Sequence, residues 1–276
     1  MLPLIAILSV TIACAVLSGF VVARRWAFVG EGIGHSGFGG AGTAWLLACA
    51  IPAMDDPNIP YIFVLVFALT AAAGIAYLSR PGSRFGSLSG DAAVGVFLVG
   101  SVAWGFLGQS VYFYVRQAQP AGFTSLFFGQ PSVVSPQYAV SAVMIAVAVV
   151  IAVFSLRKEM LAYCIDPLLA HTSGVRSGFI HYLLIGLIAL VIVVGVNVVG
   201  TLLVTALLIL PGVTAGKLTS TLRAHTIVCV AVACIGAVGG FLFNYGLPFV
   251  PLGPAVVLIM IALFLFAVIR ARFARQ

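Results

Sequence analysis

The sequence predicts an all-α integral membrane protein of about nine transmembrane helices, with its N-terminus outside and its C-terminus in the cytoplasm. Three observations predict it. Of 276 residues, 63% are hydrophobic and only 7% are charged. A soluble domain carries about 25% charged residues to keep its surface wet. Mean hydropathy is +1.24, and apolar runs of the roughly 20 residues needed to cross a bilayer recur from end to end. The third observation is the sorting of basic residues between loops, taken up below. The length leaves room for roughly eight to ten such helices and no soluble catalytic domain. Residues 1–276 therefore read as a single transmembrane domain.

Apolar runs and the breakers between them give nine intervals. The first, Leu2 to Val22, has no basic residue ahead of it, so it reads as a helix retained in the membrane rather than a secretory leader. The second, Trp26 to Ile51, follows Arg24 and Arg25 and is rich in glycine. The third, Ile59 to Leu78, comes after an outer turn with the acidic pair Asp55 and Asp56. The fourth, Leu88 to Tyr114, holds Asp91 in Ser-Gly-Asp, which suits a capping or interfacial role. Between Arg116 and Gln137 lies the longest outer loop, whose Phe-Phe-Gly and prolines suggest a re-entrant or interfacial hairpin. The fifth interval is Tyr138 to Leu156. The long cytoplasmic loop from Arg157 to Gly178 then leads to the sixth, Phe179 to Val196. The seventh, Val199 to Gly216, contains Pro211, which should kink it. The turn at Val196 to Gly200 is so tight that the sixth and seventh read either as two helices or as one bent element. The eighth is Thr226 to Tyr245 and the ninth Pro251 to Ile269. Asn197 and Asn244, near outer helix ends, read as turn or cap residues.

Basic residues in short loops mark the cytoplasmic side. With the N-terminus outside, the inner loops and tail collect Arg24, Arg25, Arg80, Arg84, Arg157, Lys158, Arg176, Lys217, Arg223, Arg270, Arg272 and Arg275. Only Arg116 falls on the outer side. A missed helix would scramble that pattern. The net charge of +7 is thus a cytoplasmic-face feature and not a nucleic-acid footprint. The five cysteines show no metal-finger or disulfide spacing and read as small apolar packing residues.

Ionisable groups within a bilayer are costly and usually face a pathway or a partner. Glu31 and His35 lie four residues apart in the second interval, on one helical face. His35 falls roughly 15 Å beyond Arg25, near the midplane. A carboxylate and an imidazole together suit zinc, manganese or iron. The pair could equally hydrogen-bond to each other or to a neighbouring helix. Seven glycines between positions 30 and 42 fit either close packing or a bending, moving helix. No phosphate-binding Gly-rich loop, Gly-x-Ser-x-Gly elbow or His-Glu-x-x-His motif is present. Three other readings stay open: a carrier driven by an ion gradient, an intramembrane enzyme using Glu31, His35 and Asp91, and a structural membrane subunit.

The run at positions 24–40, Arg-Arg-Trp-Ala-Phe-Val-Gly-Glu-Gly-Ile-Gly-His-Ser-Gly-Phe-Gly-Gly, resembles the signature of the permeases of zinc, manganese and chelated-iron ABC importers. The resemblance continues at Ile165-Asp-Pro, Ala170 and Gly174-Val175, and again in the glycine- and leucine-rich run from Val194 to Ala215. It implies an ATP-driven importer of a divalent metal ion. It implies metal contact at Glu31 and His35, and coupling to the ATPase at Asp166, Ala170, Gly174 and Val175. The implied partners are a cytoplasmic ATP-binding subunit that uses the ATP, a second permease copy in a homo- or heterodimer, and an extracytoplasmic metal-binding protein. The implied location is a bacterial-type inner or plasma membrane, with no cofactor resident in this chain. Three residues depart from the family pattern: Glu31 for aspartate, Gly34 for serine and Gly39 for the proline of Pro-Gly.

Overall fold

Inside a bilayer a chain must pair its backbone N–H and C=O groups within each segment, and that selects helix. The computed structural model describes residues 2–51, 59–79, 90–120, 136–247 and 250–273. Within them lie α1 (Leu2–Ala23), α2 (Ala27–Ala50), α3 (Ile59–Leu78), α4 (Gly90–Arg116), α5 (Pro136–Ser155), α6 (Arg157–Ile165), α7 (Pro167–Thr172), α8 (Ser177–Val199), α9 (Thr201–Leu218), α10 (Leu222–Gly246) and α11 (Leu252–Phe273).

The nine long helices match the nine intervals to within four residues at each end. Six of them, α1, α4, α8, α9, α10 and α11, are long and apolar enough to cross a membrane. A seventh span results if α5 and α6, bent by 71° at their junction, are counted as one. The apolar part of α3 is shorter, Ile62–Leu78. In α2 glycines replace the larger apolar residues that would raise its hydropathy. Asp55, Asp56, Arg80, Arg84, Arg275 and the Phe-Phe-Gly hairpin lie outside the described residues.

One expectation changes and one alternative is resolved. The stretch from Arg157 to Gly178 is not a plain loop but carries α6 and α7. Val196 to Gly200 does separate two helices, because Gly200 takes the left-handed φ of 84°, where a side chain would be strained.

Close backbone contact orders the first half. A Cβ on Gly42 would lie 2.7 Å from the Gly105 Cα, and one on Gly105 would lie 2.6 Å from the Phe38 carbonyl oxygen. Val94 fills the space at Gly32, and the Ser101 Cβ would lie 3.3 Å from one on Gly39, so α2 and α4 run parallel. Val64 packs at Gly37 and the Phe63 carbonyl at Gly40, so α3 runs antiparallel to α2. Small residues allow this approach. The glycines of α2 therefore serve packing rather than a bend. Gly34 is the roomier one, with its nearest neighbours 3.7 Å or more away.

α8 occupies the middle, against α1, α2, α3, α5 and α9, and it is the most buried of the six spans. α1 packs on α5, α9 and α10, and α11 on α9 and α10. Large apolar side chains such as Val96, Val99, Met144, Ile151, Leu242, Leu258 and Phe266 are exposed along α4, α5, α10 and α11. That much exposed apolar surface calls for a lipid environment.

Pro211 lies inside α9 and cannot donate a helix hydrogen bond. Beside it, the Gly212 N–H donates to Ser18 Oγ of α1 at 2.8 Å. Ser18 is fully buried. Ser18→Ala should therefore remove this bond between helices and lower stability by about 1 kcal/mol, read as a lower melting temperature in detergent. Asn197 Nδ2 donates within the last turns of α8, to the Val193 carbonyl. Asn244 Nδ2 donates across the α10–α11 turn to the Val250 carbonyl, which is the turn role expected of it.

Candidate functional site

Glu31 and His35 are both half-buried on α2, about 6 Å apart along its axis. His35 Nδ1 lies 3.0 Å from the backbone carbonyl oxygen of Glu31. A carbonyl only accepts, so Nδ1 carries a proton here, and Nε2 is the ring nitrogen left to face a ligand. The ring is stacked on Phe38, centroids 6.0 Å apart and planes 26° apart. Backbone and aromatic packing therefore fix the imidazole, and its Nδ1 partner is not the Glu31 carboxylate. Fixing one ring nitrogen to orient the other is how ligating histidines are commonly held.

Among the described residues no group of three His, Cys, Asp or Glu could hold a metal ion. Asp91 stands exposed in the first turn of α4 and does not join the pair. The convergence that an intramembrane enzyme would need is therefore missing. Two side chains alone would make only a weak site for an ion. Where the family pattern has proline, a Cβ on Gly39 would meet the Phe67 ring at 2.7 Å, so that ring takes the space. At Gly34 there is room for the family's serine.

The proposed coupling residues turn out to build α7. Asp166 caps its start, with Oδ1 accepting from the Leu168 N–H at 2.8 Å and the Leu169 N–H at 3.2 Å. Pro167 takes the first helical position, where its missing N–H costs nothing. At the other end Gly174 adopts φ 88°. There the Gly174 N–H reaches the His171 carbonyl at 3.1 Å and the Val175 N–H the Ala170 carbonyl at 3.0 Å. This is a Schellman cap, and it explains why glycine stands at 174. Ala170 is buried and Val175 half-buried, so both shape the segment rather than offer it to a partner. The large apolar residues that face outward are Ile165, Leu168 and Leu169. Asp166→Ala should remove the cap and cost about 1 kcal/mol, seen as faster amide hydrogen exchange over 168–172.

Beneath α6 lies a buried polar cluster that the sequence reading passed over. Tyr163 is fully buried, and His181 of α8 is 1% exposed. His181 Nε2 lies 2.9 Å from the Ala76 carbonyl oxygen in the last turn of α3, so that nitrogen carries the proton. His181 Nδ1 then accepts from the Tyr163 hydroxyl at 2.7 Å. Burial pushes the Tyr163 phenol above its ordinary range, and the Arg24 charge opposes that in part, so the hydroxyl keeps its proton. The Arg24 guanidinium lies 4.7 Å over the Tyr163 ring and 5.4 Å over the Trp26 ring. The signal was an imidazole at the start of an apolar run, which the cost of buried ionisable groups should have marked.

Comparisons with known proteins agree with this architecture. A model of the ABC 3 transport family matches residues 2–271. A Haemophilus influenzae protein described as a probable iron transport system membrane protein is 30% identical over 264 residues, covering 96% of this chain and 90% of its own. The chelated iron transport system membrane protein YfeD of Yersinia pestis is 27% identical over 96% of this chain and 83% of its own. The manganese transport system membrane protein MntC of Listeria monocytogenes is 29% identical over 88% of this chain and 80% of its own. The solved structure of PsaBC from Streptococcus pneumoniae in complex with Fab superposes with a TM-score of 0.75 at 26% identity, covering 96% of this chain and 89% of that one.

Proposed function

The chain belongs to the ABC 3 transport family, and from that premise we infer that it is the permease subunit of an ATP-driven importer of a divalent metal ion. It is a multi-pass membrane protein and a transport component, and ATP hydrolysis belongs to a separate subunit. The observation that carries the choice of cargo is the α2 pair, in which the His35 Nδ1–H is engaged by backbone and Nε2 is left to ligate. Relatives named for manganese and iron transport point to the same class of ion.

In this reading residues 1–276 form one permease domain with nine spans, N-terminus outside and C-terminus in the cytoplasm, in a bacterial inner or plasma membrane. The metal ion, as substrate, arrives from an extracytoplasmic binding protein and pauses on Glu31 and His35. A second permease copy faces this one. The ATP-binding subunit docks on the outward side of α6 and α7, where Ile165, Leu168 and Leu169 are exposed while Asp166 and Gly174 hold the helix ends. Alternation between outward- and inward-open states then moves the ion across. What supports this docking face is apolar exposure beside Arg157, Lys158 and Arg176, at the end of the bundle where Arg24 also lies.

The test is ATP-dependent uptake of radioactive zinc, manganese and iron into vesicles. These would contain this chain with its ATP-binding subunit and binding protein. Uptake of at least one of these ions that requires ATP is the expected result. No ATP-dependent uptake of any of the three would overturn the assignment of cargo.

A further inference from the structure

Five helix ends meet at one end of the bundle. Arg24 follows the last residue of α1, Trp26 precedes the first of α2, and Ala76 lies in the last turn of α3. Tyr163 comes from α6 and His181 from the second turn of α8. Trp26 packs edge-on against His181, centroids 5.4 Å apart, and lies 6.5 Å from Tyr163. None of these residues is near enough in sequence to Glu31 to be an ion ligand by adjacency, yet Trp26 opens the helix that carries Glu31 and His35. Along α2 those two stand about 7 and 13 Å beyond Trp26.

We propose that the Tyr163–His181 hydrogen bond is the joint through which α6 and α7 move α2, making both positioning residues for transport. The inference rests on the permease reading above. Three features support it. First, Tyr163 is the fully buried aromatic of α6, so displacement of α6 must carry its ring along or break the 2.7 Å bond. Second, the contacts divide by kind. The Tyr163–His181 and His181–Ala76 bonds are directional. The Arg24 charge is instead held over ring faces, with only a long 3.5 Å contact to the Tyr163 hydroxyl, and such a contact tolerates sliding. Third, the turn from α1 to α2 is under tension. Arg25 adopts φ 57°, a left-handed conformation that non-glycine residues rarely take. It closes a Schellman cap, with Arg25 N–H to the Val22 carbonyl at 3.1 Å and Trp26 N–H to the Val21 carbonyl at 2.9 Å. Strain of this kind collects where a chain must switch or clamp. A directional latch beside a strained turn is a mechanical joint between the cytoplasmic segment and the ion-bearing helix.

The test uses the whole transporter in vesicles, with manganese, iron and zinc uptake and ATP hydrolysis read in the same sample. Tyr163→Phe deletes one oxygen and keeps the ring under Arg24 and Trp26. His181→Phe keeps a ring against Trp26 but loses the acceptor for Tyr163, together with the donor for the Ala76 carbonyl. Each should lower ions moved per ATP about tenfold while hydrolysis stays within about twofold of wild type. The double variant should be no worse than the poorer single one, because both break the Tyr163–His181 bond. An unchanged ratio of ions to ATP in both variants would overturn the joint, even if both rates fell together, since a merely structural defect scales them equally. That result leaves the permease reading standing, which wild-type uptake tests separately.

Discussion

His35→Ala should reduce ATP-driven metal uptake by at least on the order of 100-fold. Loss of even an outer partner of a ligand costs about 10–100-fold in metal affinity or activity, and in the proposed site His35 would be a ligand itself. The effect should be confined to transport. His35 donates only to its own helix, at the Glu31 carbonyl, and alanine is the strongest helix former in a stretch weakened by glycine. The melting temperature should hold, and the ATP-binding subunit should still co-purify. Glu31 offers a graded companion. Glu31→Gln removes the charge and should cost a comparable factor. Glu31→Asp restores the family's residue with a side chain one methylene shorter, and should keep uptake while shifting the order of preference among manganese, iron and zinc. Equal uptake by wild type and the His35→Ala variant would remove α2 from the ion's path.

Gly108→Ala should be strongly destabilising, and Gly100→Ala on the same helix should be neutral or slightly stabilising. A Cβ at Gly108 would run into the Gly42 backbone. Backbone cannot rotate aside as a side chain can, so α2 and α4 would have to separate along the contact that also seats Gly42 and Gly105. Overpacking of this kind costs about 3 kcal/mol, a fall in melting temperature on the order of 10 °C for a chain of this size. At Gly100 nothing lies within 4 Å of an added Cβ, and the intrinsic preference of helix for alanine over glycine, up to about 1 kcal/mol, is unopposed. Thermal unfolding of the two variants in one detergent compares packing with propensity directly. Similar melting temperatures would show that α2 and α4 are not held by backbone contact.

The sequence alone determined the class and the positions of the long helices. Both follow from a solvent effect that acts on each segment independently: a run of apolar residues is either long enough to cover a bilayer or it is not. The Glu31–His35 pair was legible for a related reason, because one helix fixes the spacing of its own residues without any help from the rest of the fold. Asp166, Pro167 and Gly174 were legible as a motif but not as a helix. The segment is only six residues long, and its start and stop signals outweigh any periodicity it has room to show. Only tertiary structure decided how the glycines act. Gly42, Gly105 and Gly108 become a packing seam because α2 and α4 meet in parallel, and parallel pairing is a relation between helices separated by a whole hairpin. The same holds for Arg24, Trp26, Tyr163 and His181. They come from three separate parts of the chain, 157 residues from first to last, and no local pattern links them. Hydrogen bonds and ring contacts that short form only when the folded bundle brings those helix ends together.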